Sequence, residues 1–266
     1  MMAQRTPEIT PEQRSELVAR LAAGGCVAAE EEADELLSAA GDDDRQLETM
    51  VGRRLAGEPL AWVTGRVTFC GLHVRVDPGV YVPRWQTEPL ARRGAALLPD
   101  AGMAVDVCTG SGAVAMVMAR TRPEARVIAT DRDPRAVACA VANGVDAVEG
   151  DLLAALPPAL AGRVDVVTGV VPYVPTAELS LLPRDTLTYE AVLAYDGGPD
   201  GTSVLRRAVT EASRALRPGG ALLLELGGAQ AELLAPDLSR RGFAVAEVLT
   251  DDDADLRGVV ARRRSA

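Results

Sequence analysis

Aromatic residues are scarce in this sequence, at 3%, and histidine occurs once, as His73. Against 48% hydrophobic residues overall, that scarcity requires a core built mainly from Ala, Val and Leu, which suits a parallel sheet covered by helices. The four cysteines, Cys26, Cys70, Cys108 and Cys139, lie far apart with no C-x-x-C spacing, so neither a zinc site nor a disulfide framework is implied. Isolated buried thiols in a reducing cytosol are the expectation. Positive charge is in deficit: a formal net charge of −10 and no basic cluster exclude nucleic acid as the main partner. Met1 to Glu8 has no apolar signal-peptide region, and no later stretch has the ~18 apolar residues of a membrane span. A cytoplasmic protein without membrane contact is expected, with room in its 266 residues for one large α/β domain and a small accessory domain.

From Thr10 to Leu60 apolar residues recur at helical spacing, as in Leu17, Leu21, Val27, Ala33, Leu36, Leu47, Val51 and Leu55. About three short helices are predicted, the first capped by Thr10 before Pro11, another starting in the acids after Gly41. Glu30-Glu31-Glu32 reads as a solvated helix face. After Gly65 the pattern alternates around Gly71 and Asp77-Pro78-Gly79, predicting a β-hairpin with His73 on its polar side in a non-catalytic position. Strand-like runs then alternate with helical ones: Ala104–Cys108, Arg126–Thr130, Ala147–Glu149, Val164–Thr168, Ala221–Glu225, Phe243–Leu249 and Leu256–Ala261. This specifies a mostly parallel, doubly wound sheet whose last two strands pair antiparallel at one edge. The domain boundaries expected are 1–64 for the helical domain, 65–82 for the hairpin linker and 83–266 for the α/β domain.

The strongest chemical signal is Asp106-Val107-Cys108-Thr109-Gly110-Ser111-Gly112, an apolar strand entering a glycine turn that opens a helix. Such a turn lets backbone approach a ligand, and the helix start offers unpaired N–H groups. Gly110-x-Gly112-x-x-Ala115 also meets the minimal dinucleotide fingerprint. Asp106 separates the two cofactors, because a carboxylate there opposes a pyrophosphate but suits the cationic sulfonium amino acid of S-adenosylmethionine. Asp131, with Arg132 beside it, follows the second strand where an acid can accept from both ribose hydroxyls. Asp151 follows the third strand and can accept from an adenine amino group, with Leu152 packing on the ring.

At this point the chain resembles the release-factor glutamine methyltransferases, in the form typical of high-GC bacteria. The resemblance rests on Gly57-Glu58-Pro59-Leu60-Ala61, Phe69-Cys70-Gly71-Leu72, Pro78 through Arg84 with Thr87-Glu88, and Asp196-Gly197-Gly198 with Asp200-Gly201. It implies a Rossmann-like seven-stranded methyltransferase sheet holding the cofactor at Cys108 to Gly112, Asp131 and Leu152. It further implies a helical N-terminal domain that recognises a protein substrate.

Three departures shape the functional expectation. The family's Asn-Pro-Pro-Tyr falls at Val170-Val171-Pro172-Tyr173, so Val170 stands where an Asn side chain grips the substrate amide. The Pro-Glu after Pro-Arg has become Trp85-Gln86, following Arg84, and Glu-Pro-Arg survives as Glu190-Ala191-Val192. An amide nitrogen is a poor nucleophile because its lone pair is delocalised, and losing one amide partner costs roughly 1–3 kcal/mol. The expectation is therefore a methyltransferase redirected to a small-molecule nitrogen nucleophile. Its pocket would be lined by Arg84, Trp85, Val170, Val171 and Tyr173, with Tyr173 and Pro172 aligning the acceptor and Glu190 able to take a proton. No metal is needed. The alternatives are genuine methylation of a peptide-chain release factor, or a non-catalytic cofactor-binding partner protein.

Overall fold

A computed structural model describes residues 10–182, 184–250 and 255–265. Its contacts divide the chain into two compact units, the break falling between Arg66 and Val67.

The first unit is helical: α1 (Pro11–Ala23), α2 (Ala29–Ala40), α3 (Asp44–Leu55) and the single turn α4 (Leu60–Thr64). Thr10 and Gln13 cap α1 reciprocally, and the Asp43 carboxylate accepts from the first free amides of α3. Leu21, Ala33, Leu36, Val51 and Val63 pack into one core. Two residues of the apolar pattern depart from it. Val27 is fully exposed because it lies in the turn between α1 and α2, outside the helical period, and Leu55, at the end of α3, is 39% exposed. The acidic run is not uniformly solvated either. Glu30 and Glu31 are exposed, but Glu32 is buried against Arg54, whose guanidinium donates to both its oxygens at 2.6 and 3.1 Å.

A hairpin spans the break, β1 (Arg66–Phe69) and β2 (Leu72–Arg75), with His73 exposed in β2. There follow α5 (Glu88–Leu97), β3 (Met103–Val107), α6 (Ala113–Thr121), β4 (Arg126–Asp131), α7 (Pro134–Ala142) and β5 (Asp146–Glu149). The chain continues through β6 (Val164–Gly169), α8 (Arg184–Tyr189), α9 (Ser203–Ala215), β7 (Leu216–Glu225), α10 (Gln230–Arg240), β8 (Phe243–Thr250) and β9 (Leu256–Arg263). Seven strands form one sheet in the order β5-β4-β3-β6-β7-β9-β8, a Rossmann-like α/β architecture. The first five are parallel, and β9 runs antiparallel between β7 and β8.

Both faces of the central strands β3, β6 and β7 are covered, so these are largely apolar on both sides, while the edge strands β5 and β8 are mostly exposed. Ala221 and Leu223 of β7 pack into one core, while Leu222 and Leu224 pack into the other, as strand alternation requires. Strand order reverses at β3, from which β4 and β5 extend one way and β6 and β7 the other. Beyond the carboxyl ends of the strands at such a reversal lies the crevice where open α/β sheets bind ligands.

Candidate functional site

At the end of β3 the backbone turns through left-handed positions at Cys108, Gly110 and Gly112, with φ of 53°, 57° and 84°. Gly112 is fixed by space as well as conformation: a Cβ there would lie 3.0 Å from Ala140 and from Val145. Asp131, at the end of β4, ties down the turn by accepting from the Gly110 amide at 2.9 Å, and its other oxygen accepts from Asp133 at 2.9 Å. Asp106 is buried, and accepts from the hydroxyls of Thr109 and Thr168 at 2.6 Å each. Burial pushes its carboxyl up to about 6, against those two hydrogen bonds. Burial also raises the Asp131 carboxyl and the Cys108 thiol, which keeps Cys108 protonated and unsuited to be a nucleophile.

Above this turn lies a cavity of about 230 Å³. Its floor is Asp106, Cys108 to Ser111 and Asp131-Arg132, and Val170 to Tyr173 form a wall. That wall leaves β6, the neighbour of β3, and a second segment fixes it. The amides of Val174 and Gly197 exchange hydrogen bonds with the carbonyls of Tyr195 and Val174 at 2.8 Å, and Gln230 Nε2 donates to the Tyr173 carbonyl at 2.5 Å. Gly201 lies so close that a Cβ on it would stand 2.3 Å from that carbonyl. Asp196 and Asp200 serve the turns of this brace, accepting from the amides of Gly198 and Thr202. Among the described residues, the carbonyls of Val170, Val171 and Pro172 accept no hydrogen bond.

The structure gathers most of the expected residues, yet several stand elsewhere. Gly112 sits behind the turn instead of lining the cavity, as does Leu152, which is buried in the core with φ 52° and whose carbonyl accepts from Thr130 at 2.7 Å. Asp151 is half exposed and holds Arg207 at 2.7 Å, so neither residue of the expected adenine contact lines the cavity. Trp85 is 64% exposed at the start of a short 3-10 turn and is no aromatic wall. Glu190 also lies outside the lining. It is buried, paired to Arg84 at 2.7 Å and hydrogen-bonded by the Tyr195 hydroxyl, so it is engaged structurally and not free to take a substrate proton. Arg84, occupied by that pair, stacks its guanidinium over the Tyr81 ring at 5.4 Å. Of the expected redirected pocket, Val170, Val171 and Tyr173 remain.

Sequence reading gave no site role to Tyr81, Thr87, Tyr195 and Glu225. Tyr81, Tyr173 and Tyr195 all line the cavity, three of the four tyrosines in the chain, with the Tyr81 and Tyr195 rings 5.6 Å apart. Their concentration in a chain so poor in aromatics is visible only once folded. Glu225 did carry a sequence signal, a lone acid closing the run Leu222-Leu223-Leu224.

The cavity suits S-adenosylmethionine by its donor set. Asp131 can accept from ribose hydroxyls, and Ser111 presents a buried hydroxyl that has no partner among the described residues. Comparison with known proteins points the same way. A release factor glutamine methyltransferase from Geobacter sulfurreducens is 37% identical over 200 residues, spanning 73% of this chain and 69% of the relative. One from Streptomyces coelicolor is 38% identical over 196 residues, 69% of this chain and 68% of the relative. One from Mycobacterium leprae is 37% identical over 232 residues, 84% of this chain and 80% of the relative. That last match is longer than the second unit, so it reaches into the helical one. No family model matches the chain. Among solved structures, the E. cuniculi Mtq2–Trm112 complex covers 70% of this chain and 99% of its own, with TM-score 0.51 and 24% identity. A ribosomal protein L11 methylase from Lactobacillus delbrueckii subsp. bulgaricus covers 72% and 86%, with TM-score 0.50 and 19% identity. Likeness at that level shows a shared fold.

Proposed function

Since this chain belongs to the release factor glutamine methyltransferases and takes its methyl group from S-adenosylmethionine, we propose that it methylates the side-chain amide nitrogen of a glutamine in a peptide-chain release factor. The observation that carries this reading is that one cavity joins the glycine turn to the Val170-Val171-Pro172-Tyr173 wall. Two neighbouring strands, β3 and β6, thereby set a donor site beside an acceptor site.

S-adenosylmethionine supplies an electrophilic methyl group on a positively charged sulfur. Asp131 would hold the ribose hydroxyls, its orientation set in advance by the Gly110 amide. Ser111 would engage the amino-acid end, and Asp106 stays beneath the turn as its anchor, between Thr109 and Thr168. The amide NH₂ of the glutamine would donate to the unpartnered carbonyls of the Val170–Pro172 run, which take over from the missing Asn side chain. Backbone acceptors suffice to aim the nitrogen, with a weaker grip, and alignment of nitrogen, methyl carbon and sulfur is the main contribution asked of the protein. The reading as a redirected small-molecule enzyme loses its support where Trp85 and Glu190 fall outside the cavity.

Incubation with labelled S-adenosylmethionine and intact release factor tests this directly. Label is expected on a glutamine of the factor at a rate on the order of 1 s⁻¹. Label that enters only the small-molecule fraction of a host extract, never the factor, would overturn the assignment.

A further inference from the structure

Glu225 ends β7, is 4% exposed, and makes no ion pair among the described residues. Burying a carboxylate is costly unless its oxygens are satisfied. Here both are satisfied by hydroxyls: Thr87 donates to Oε2 at 2.6 Å and Tyr173 donates to Oε1 at 3.1 Å. The two donors come from distant stretches of sequence, and both line the cavity, whereas Glu225 itself does not. The cost is thus borne at the one place where it fixes two wall side chains. Tyr173 is held at its other end by Gln230 on its carbonyl. Both ends of the tyrosine, hydroxyl and carbonyl, are therefore fixed at the cavity wall.

We propose that Glu225 is a positioning residue for methyl transfer, tethering the hydroxyls of Tyr173 and Thr87 so that the acceptor wall keeps one geometry. This rests on the methyltransferase reading above, but not on which nitrogen is methylated. A tether of two accepted hydrogen bonds needs the carboxylate. When Glu225 is protonated, one oxygen becomes a donor and must release or reorient a partner. The groups around it are the Thr87 and Tyr173 hydroxyls, the Tyr81 phenol and the Arg257 guanidinium, which is shared with Asp255. Burial holds the Glu225 carboxyl above the usual range in spite of the hydroxyls and Arg257, so the tether is complete at higher pH and loosens as pH falls through that raised value.

Two measurements on the full chain test this. In protein labelled with ¹³Cζ-tyrosine, the Tyr173 signal is the one missing from Tyr173→Phe. It should shift with a midpoint above the free glutamate range in wild type and stay flat in Glu225→Gln. The second measurement is a cycle of Glu225→Gln, Tyr173→Phe and the double variant, read with release factor as acceptor. Each single change should lower kcat roughly 10- to 100-fold while S-adenosylmethionine affinity, by calorimetry, holds within about threefold. The double variant should be no worse than the poorer single one, because the residues act as a unit. Tyr173→Phe breaks the same bond from the other side and leaves Glu225 with Thr87, so the test stands even if Glu225→Gln does not fold. Additive losses in the cycle, or a Tyr173 signal that ignores pH in wild type, would overturn the tether. If wild type methylates no release factor while the Tyr173 signal still reports Glu225, the glutamine reading falls and the tether stands.

Discussion

At the scale of single residues, Asp106 and Val170 separate cost from chemistry. The Asp106 carboxyl rises from 3.8 to about 6 on folding, so the folded protein holds its proton more tightly than the unfolded chain. Its favourable contribution is complete below the lower value and is lost as pH rises through the upper one. Above that window the buried charge costs on the order of 3 kcal/mol. Asp106→Asn should accordingly raise the melting temperature at pH 7.5, and the advantage over wild type should shrink toward pH 4. A variant less stable than wild type at pH 7.5 would show that the two threonine bonds outweigh the burial of charge. Val170 poses the opposite case, a missing polar group. Val170→Asn would return a side-chain partner to the amide, and one such bond contributes roughly 1–3 kcal/mol. The specificity constant for release factor should rise about tenfold or more, since each 1.4 kcal/mol is a factor of ten. No gain would mean that the backbone carbonyls already satisfy the amide.

Among the elements, the brace over residues 195 to 203 decides the geometry of the acceptor wall. Its Asp-Gly-Gly-x-Asp-Gly pattern can be explained by packing. A Cβ on Gly197 would stand 2.6 Å from the Gly201 carbonyl oxygen and 2.7 Å from Tyr173 Cα, contacts with backbone that cannot yield cheaply. Gly197→Ala should therefore push the Tyr173 segment from its place. Methyl transfer is expected to fall by roughly 100-fold, the order that a misplacement of about 1 Å can cause. Circular dichroism and donor affinity should stay near wild type, because the glycine turn at β3 is braced separately by Asp131 and Asp106. A loss of donor binding as large as the loss of turnover would contradict that separation.

For the molecule as a whole, the donor site couples to stability. A ligand that binds only the folded state, at 100 times its dissociation constant, stabilises by about 2.7 kcal/mol. For a unit of this size that is a rise of roughly 5–10 °C in melting temperature. S-adenosylmethionine should produce such a rise and NAD none, and Asp131→Ala should abolish most of it at the same ligand concentration. Equal shifts from NAD would reassign the cavity to dinucleotides. Exposed ion pairs will hardly enter this balance. The chain has no lysine, and among the described residues arginine makes the ion pairs, often with two prongs as in Arg14–Asp34 and Arg20–Glu48; these two pairs are exposed, unlike Arg54–Glu32 and Arg84–Glu190. Exposed pairs add little because water and salt screen them.

By itself the sequence determined the alternation of strands and helices, the glycine turn with Asp106 and Asp131, and the place of the altered acceptor motif. These are local matters, in which hydrophobic period, cap residues and backbone freedom act between near neighbours. Tertiary structure alone decided which side chains share the cavity. Trp85 and Glu190 adjoin motif residues in sequence, yet one is turned to solvent and the other is engaged by Arg84 and Tyr195. Asp151 likewise pairs with Arg207 on α9, a partner 56 positions away. Thr87, Tyr173 and Glu225 meet only because the start of α5, the segment leaving β6 and the end of β7 come together at the carboxyl ends of the strands. A charged or hydroxyl group goes to whichever partner satisfies it on burial, and that partner is set by the packing of distant strands.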